Sequence, residues 1–521
     1  MNKPDSAVAE QSEPAGSIPT GTASHGRGWV LAVVCIGTMM TFVNVSSTVG
    51  ALATIQADLH SSSSAIVWIS SMYSLVVASF VLGSGTLGDL IGRRLVFAGG
   101  ATVFALGSAL AFAAHSASVV IVAQAIMGIG GAMVLPTGLA IVSHTFTDAR
   151  KRTEAISVWA GTSGLGLAVG PMVAGTLLNH FSWHSVYLIN VILGALALVG
   201  ALVFITESRQ PDRRTDPIGM ALGTLSVASL TYAVIEGGSL GYTSGRIIAA
   251  YLVLAVSFAA FIWYEARHPD PMLDVTLFRS ASFSAVMAAA TIAMFGFTGT
   301  ALATALYLQH VQETTPLGAG VRLLVMFLPF IVVSAIAGRI VDRVGFKTML
   351  TVGLLVMGAG IFALLATPPE PGFLRVWPGL LLAGIGSGFL VAPSTAAAVI
   401  SVPIQQAGMA SAAVNMFRQV GNVLGASILG TILTTRFAVD LADNLHRQQL
   451  PDHIVDAVVD AASAGDGGST PLPAALAERV TPALHQAFTS ADHLALATAA
   501  TVLVLTAIPV AVFVRQKPGH L

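Results

Sequence analysis

Runs of about twenty apolar residues recur along almost the whole chain, and each is long enough to cross the roughly 30 Å hydrocarbon core of a bilayer as one helix. A backbone inside hydrocarbon must satisfy its own N–H and C=O groups, so such a chain is predicted to fold as an all-α membrane protein. Fourteen spans are expected, centred near Met40, Val77, Phe104, Met127, Leu165, Leu196, Leu225, Val256, Ala293, Phe327, Val356, Ile385, Val423 and Leu503. Composition agrees. The 521 residues are 55% apolar and 9% charged, whereas a soluble domain carries about 25% charged residues. A net charge of -1 gives no basic face for nucleic acid. The single cysteine, Cys35, excludes an intrachain disulfide and a Cys-based metal site.

Lys and Arg stay on the cytoplasmic side of membrane proteins. With the amino terminus inside, seventeen of them fall on inner segments and five, Arg246, Arg375, Arg436, Arg447 and Arg479, on outer ones. Arg322 and Arg418 fall within spans. An even number of spans with both termini in the cytoplasm is therefore expected, in a plasma membrane. Residues 1–27 are rich in Ser, Pro, Gly and Ala and read as a disordered cytoplasmic tail. The long outer segment 435–490 holds acids, histidines, the turn-rich stretch Gly465 to Pro473 and an amphipathic piece, Ile454 to Ala462. It reads either as short helices at the outer surface or as a solvated tether.

The chain repeats itself. Gly85-Thr-Leu-Gly-Asp89-Leu-Ile-Gly92-Arg93-Arg94 returns 253 residues later as Gly338-Arg-Ile-Val-Asp342-Arg343-Val-Gly345-Phe-Lys347, and Gly166, Gly170 and Gly175 return 255 later as Gly421, Gly425 and Gly430. Two six-helix bundles follow, with two extra spans between them. The expected organisation is a tail at 1–27, a first bundle at 28–206, a linker with two spans at 207–280, a second bundle at 281–514 that includes the outer segment, and a short tail at 515–521. Parallel six-span repeats around a central axis suit alternating access, with substrate held near the midplane between the halves.

The repeated motifs have physical readings. Gly85 permits close helix approach, Asp89 can accept hydrogen bonds from a helix N-terminus or pair with Arg, and Gly92 permits a tight turn; with Arg93, Arg94 and the second copy at Gly338, Asp342, Arg343 and Gly345, they are expected to latch helices in one state and release them in the other. Gly166, Gly170 and Pro171 supply a flat helix face and a weakened backbone bond. Gly128, Gly130 and Gly131, with Gly384, Gly386 and Gly388, behave alike. Enzyme-like patterns do not hold. Gly237-Gly-Ser239-Leu-Gly241 lacks a preceding strand and a partner base, His180 and His184 lack a third metal ligand, and no phosphate loop appears. No cofactor and no metal are expected.

On these residues the chain resembles the fourteen-span drug:proton antiporter family of the major facilitator superfamily, across about residues 28–515. Gly85 to Arg94 is similar to that family's motif A, Gln124 to Ala132 to motif B, and Gly161 to Gly175 to motif C. Tyr307-Leu-Gln309, Pro316-Leu-Gly-Ala-Gly320 and Ala407-Gly408-Met-Ala410-Ser411 are similar to signatures of its second half. The resemblance implies export of small amphipathic organic compounds or drugs by alternating access, with protons as a possible counter-ion. The other readings are an uncoupled facilitator and a receptor or assembly protein that keeps the fold without transport. Oligomeric state is not legible.

The departures carry meaning. The first-span position that is usually Asp is Asn44, and motif B opens with Gln124 where Arg is usual. Motif C ends Ala174-Gly175, and His184 replaces the usual Arg after the Trp of the fifth loop. An ion in mid-membrane costs about 2.5–3.5 kcal/mol on insertion scales, and removing one partner strands the other. Acid and Arg are expected to have been neutralised together, with Asn44 and Gln124 still hydrogen-bonding. No acid or histidine falls near a midplane, so proton coupling would rest on span-end groups, with Asp89, Glu154 and Glu236 as candidates. The cavity is expected to be lined by Asn44, Ser47, Thr48, Trp68, Tyr73, Gln124, Met127, Asn415 and Arg418. Arg418 is the clearest mid-membrane charge, read either as an anion-attracting group or as a helix-packing one.

Overall fold

The computed structural model describes residues 23–209, 216–269, 271, 273–370, 372–402, 407–463 and 474–515. Fourteen of its helices are long and apolar enough to cross a membrane, and each expected centre lies in its own span. The first six are α1 (Ala23–Leu59), α2 (Ser63–Ile91), α3 (Arg93–Phe112), α4 (Ala117–Thr145), α5 (Ala149–Leu178) and α6 (His184–Phe204). The linker pair is α7 (Pro217–Leu240) and α8 (Gly245–Glu265). Then follow α9 (Ala281–His310), α10 (Pro316–Val344), α11 (Phe346–Ala363), α12 (Trp377–Ile400) and α13 (Ala407–Leu424). A π-turn, Gly425–Leu429, carries α13 into α14 (Gly430–Arg447), so the two make one long span. The chain closes with α15 (Asp452–Ser463) and α16 (Ala474–Phe513). The expected tail lies outside the described residues up to 22; Ala23 to Arg27 instead belong to α1, because a helix once nucleated in the membrane propagates outward at little cost.

Local chemistry fixes the helix starts. Side chains of Ser62, Asp148, Asp216, Ser280 and Thr315 accept hydrogen bonds from backbone N–H groups in the first turns of α2, α5, α7, α9 and α10, and Pro217 and Pro316 stand in first turns, where a missing N–H costs nothing. Gly92 and Gly345, at φ 125 and 86, each turn the chain between two spans in a single residue.

The packing duplicates as the sequence does. In the first half α1 packs on α5, α2 on α4, and α3 on α4 and α6; in the second, α9 packs on α13, α10 on α12, and α11 on α12 and α16. The halves meet where α5 crosses α10 and where α2 crosses α13, and α7 rests on α2 and α8. Faces away from these contacts are apolar and exposed, as at Leu188, Ile192, Leu196 and Val199 on α6 and Leu252 and Val256 on α8. Such faces suit the hydrocarbon of a bilayer. At the end opposite the α2–α3 turn, α14 and α16 extend beyond their spans and hold α15 in a small cap with its own core of Leu441, Leu445, Val455, Val458 and Val480. The amphipathic piece Ile454 to Ala462 forms α15, its apolar side inward. Residues 464–473, with most of the turn-rich stretch, lie outside the described residues.

Candidate functional site

A cavity of about 1940 Å³ lies between the halves. Its deep wall carries Thr41, Ser46, Tyr73, Phe297, Asn415, Arg418 and Asn422, and it runs to the end that holds the α2–α3 turn, where Asp89, Arg93, Asp216, Asp274 and Gly338 line its mouth. A drug-sized ligand site occupies about 300–1,000 Å³. The space is ample. Among the described residues the acids on its wall, Asp89, Asp216 and Asp274, all belong to the mouth, while Arg418 lies in the deep part.

The opposite end is shut by backbone contact. A Cβ on Gly175 would overlap backbone atoms of Leu317, and one on Gly320 would lie 2.6 Å from the carbonyl oxygen of Pro171. The glycine motif of α5 thus meets the Pro316 to Gly320 signature of α10 across the two halves. Gly166 and Gly170 face α1 instead: a Cβ on Gly166 would lie 2.9 Å from Met39 O, and Ser46 Oγ donates to Gly166 O at 3.2 Å. The second half repeats this scheme. Gly421 and Gly425 press on Thr291 and Phe295 of α9, and Gly430 meets Val67 of α2 at a looser 3.1 Å. Ser427 Oγ and Ser71 Oγ hydrogen-bond at 3.1 Å across that crossing.

At the mouth, Asp89 Oδ1 accepts from Arg93 Nε at 3.0 Å and Nη2 at 2.8 Å, bridging the turn at Gly92. Glu207, just past α6, accepts the N–H groups of Arg94 and Leu95 at 3.1 and 3.2 Å, while Arg94 Nη2 donates to Leu202 O at 2.7 Å. A side chain at Gly92 would displace the Glu207 carboxyl. This first copy ties α2, α3 and α6 of one half together. In the second copy Gly345 N–H donates to Val341 O at 2.8 Å, Arg343 is exposed, and nothing stands within 4 Å of a Cβ on Gly338. The side chain of Asp342 lies outside the described residues.

Behind the first-half wall is a knot of neutral polar groups. Asn44 Nδ2 donates to Gln124 Oε1 at 3.1 Å, Gln124 Nε2 donates to Thr48 Oγ1 at 3.1 Å and Tyr187 Oη at 3.5 Å, and Asn190 Nδ2 donates to Asn44 Oδ1 at 3.2 Å. All five residues are buried. Most of these polar atoms satisfy one another at that depth without the cost of desolvating an ion pair, although Asn190 Oδ1 meets no partner among the described residues. In the second half Arg418 reaches α12, donating to Val391 O, to Ser394 Oγ at 2.8 Å and to Thr395 Oγ1 at 2.8 Å, with Asn415 Oδ1 at 3.4 Å. Every one of these acceptors is neutral, so no counter-charge among these contacts offsets the guanidinium beside the cavity.

The expected lining residues therefore divide. Tyr73, Asn415 and Arg418 line the cavity. Asn44, Thr48 and Gln124 form the knot behind it. Ser47 is buried where Gly170 meets α1 and donates to Asn44 O at 3.4 Å. Met127 packs against Gly107 in the α3–α4 contact and accepts from Ser108 Oγ at 3.0 Å. Trp68 Nε1 donates to Glu236 Oε1 at 2.8 Å, joining α2 to the linker, so this pair belongs to another contact. The side chain of Glu154 lies outside the described residues. Sequence reasoning passed over Asn190, Tyr187 and Glu207. It also passed over Gln419 and Asn422, although Asn415, Arg418, Gln419 and Asn422 recur at helical spacing and share the cavity-facing side of α13.

The family model described as the Major Facilitator Superfamily matches residues 34–426. The chain is 33% identical over 420 residues to the multidrug resistance protein Stp of Mycobacterium tuberculosis, covering 80% of this chain and 78% of that protein. It is 31% identical over 518 residues to the tetracenomycin C resistance and export protein of Streptomyces glaucescens, covering 97% and 95%. It is 32% identical over 481 residues to the multidrug efflux pump LfrA of Mycolicibacterium smegmatis, covering 91% and 93%. Its fold is like that of a bacterial homologue of the human lysosomal transporter Spinster in an inward-facing, unoccupied conformation, with TM-score 0.64 over 97% of this chain and 100% of that chain, at 15% identity.

Proposed function

This chain belongs to the major facilitator superfamily and is a transporter rather than an enzyme, and from that premise we propose that it exports small amphipathic organic compounds from the cytoplasm by alternating access. The observation that carries this reading is the cavity between the halves, open at one end and shut by glycine crossings at the other. The excess of Lys and Arg on the α2–α3 side supports placing that end in the cytoplasm, with both termini on the cytoplasmic side of a plasma membrane; on this reading the cavity opens inward. The relatives named for multidrug resistance, multidrug efflux, and tetracenomycin C resistance and export support small-molecule cargo.

Charge sets the class of cargo. Arg418 stands in the deep cavity with neutral acceptors, and the wall's described acids lie at the mouth. Neutral and anionic amphiphiles are expected to be carried better than lipophilic cations. Protons are proposed as the counter-ion, taken up by acids at the span ends. Reconstitution into liposomes with an imposed pH gradient tests the whole reading. Flux of anionic dyes that quickens with the gradient supports antiport, and flux indifferent to it means facilitated diffusion. No flux of any compound would favour a receptor. Rapid ethidium efflux that survives removal of every span-end carboxylate would defeat the charge argument.

A further inference from the structure

Two buried carboxyls meet where the linker pair closes at the cavity mouth. Asp216, the residue before α7, and Glu265, the last of α8, are 8% and 2% exposed. Each is anchored through one oxygen. Asp216 Oδ1 accepts from Gly219 N at 2.8 Å, and Glu265 Oε2 accepts from Leu273 N at 3.2 Å. The remaining oxygens, Asp216 Oδ2 and Glu265 Oε1, are buried and meet no hydrogen-bond partner among the described residues. Both converge on Gly219, where a Cβ would collide with the two at once.

The surroundings offer little compensation. The Tyr264 hydroxyl interacts with the Asp216 carboxyl both by charge and as a hydrogen-bonding group beyond ordinary hydrogen-bond distance, its ring lies 5.2 Å from that of His268, and His268, an electrostatic neighbour of Glu265, has its Nδ1 buried without a partner among the described residues. Arg267 turns away to lie over Trp263 at 4.7 Å. Asp274, on the segment leading to α9, and the Asp89–Arg93 pair from α2 stand on the same cavity wall. Among the described residues no Lys or Arg pairs with either carboxyl. Two bare carboxylates so placed repel each other. One proton between them makes one orphan oxygen a donor and the other an acceptor, and such a pair titrates as a unit.

We propose that Asp216 and Glu265 share one proton, and that this proton clasps α7, α8 and the segment through Leu273 together while the cavity is open. Releasing it to the solution leaves two repelling anions, which frees the segment that joins the linker to the second half. The proposal rests on the export reading for its purpose, since it places a proton-responsive element at the cytoplasmic mouth, but the clasp itself is testable without transport. Infrared spectra of the full chain in lipid nanodiscs should show a protonated carboxyl at neutral pH that titrates away as pH rises. D216N and E265Q should each remove that band, G219A should shift it by intruding on both oxygens, and D443N, an exposed acid on the cap, should leave it. In liposomes D216N and E265Q should flatten the dependence of flux on cytoplasmic pH. A wild-type spectrum without a protonated carboxyl at neutral pH overturns the clasp whatever the variants do, as does a band displaced by sodium ions at fixed pH, which would make the occupant a metal cation. The band with no flux of any compound would overturn the export reading and leave the clasp standing.

Discussion

The two halves share a scaffold and use it for opposite ends. Around Gly128 in α4 and its counterpart Gly384 in α12, the position of Gln124 is taken by Leu380, so the amide knot of the first half is replaced by an apolar contact in the second. On α13 the relation reverses: Arg418 stands 255 residues after Ser163, and both line the cavity. The first half buries its amides in a neutral lock behind the deep wall, and the second sets a charge, Arg418, on that wall. The crossings differ as well, since Gly175 meets the backbone of Leu317 whereas Gly430 meets the side chain of Val67. Duplication preserved the helix contacts, which depend on small residues, and left the chemistry free to diverge.

The largest expected effect tests the crossings. G175A forces α5 from α10, because backbone has nowhere to move, and should cost about 1–3 kcal/mol in stability together with most of the flux. G430A should stay close to wild type, since a valine side chain can yield by a few tenths of an ångström. Thermal unfolding in detergent beside flux measurements separates the two, and equal damage would erase the asymmetry.

Next comes the charge. R418M should lower flux of anionic amphiphiles by about tenfold, a loss of about 1.4 kcal/mol, while neutral ones change less. R418K should fall between, because an ammonium keeps the charge but lacks the planar fork whose Nη2 reaches Ser394 and Thr395 while Nη1 reaches Asn415. Equal losses for both cargo classes would make Arg418 a packing residue.

The lock is tested by restoring what it lacks. N44D places a carboxylate among buried amides and should lower stability by about 1–3 kcal/mol. N44D/Q124R should recover part of that, and a double-mutant cycle on melting temperature reads the coupling. An additive cycle would mean the two positions are independent. The last test is D89N, which takes the charge from one partner of the buried pair with Arg93; the amide oxygen of Asn can still accept from the guanidinium, so stability should fall by about 1 kcal/mol, and the larger consequence should show in the rate of flux.

Much of the fold was legible because bilayer thickness fixes span length and repeated glycines fix which helices touch. The fourteen centres follow from those constraints, whereas the hydrogen-bonding of Asn44 to Gln124 is expected from the family resemblance, in which an acid and an Arg usually hold those positions. The lining was less legible. Thr48, Ser47 and Met127 sit on spans that border the cavity, yet helix rotation turns them into their own half, and rotation is set by contacts such as Gly170 on Ser46 and Gly107 on Met127. Trp68 and Glu236 gave no hint of each other, being on helices whose adjacency no local pattern encodes.

By itself the sequence determined that this chain crosses a membrane fourteen times, that it is a doubled bundle, and that its first-half centre carries no ionisable pair, because hydrophobic length, repetition and residue charge are properties of the chain. Only the tertiary structure decided which end of the cavity is open, which polar faces meet it, and that Asp216 and Glu265 converge on Gly219. Those outcomes depend on how helices rotate and cross, and the free energy of a crossing is a sum over partners distant in sequence that no single segment contains.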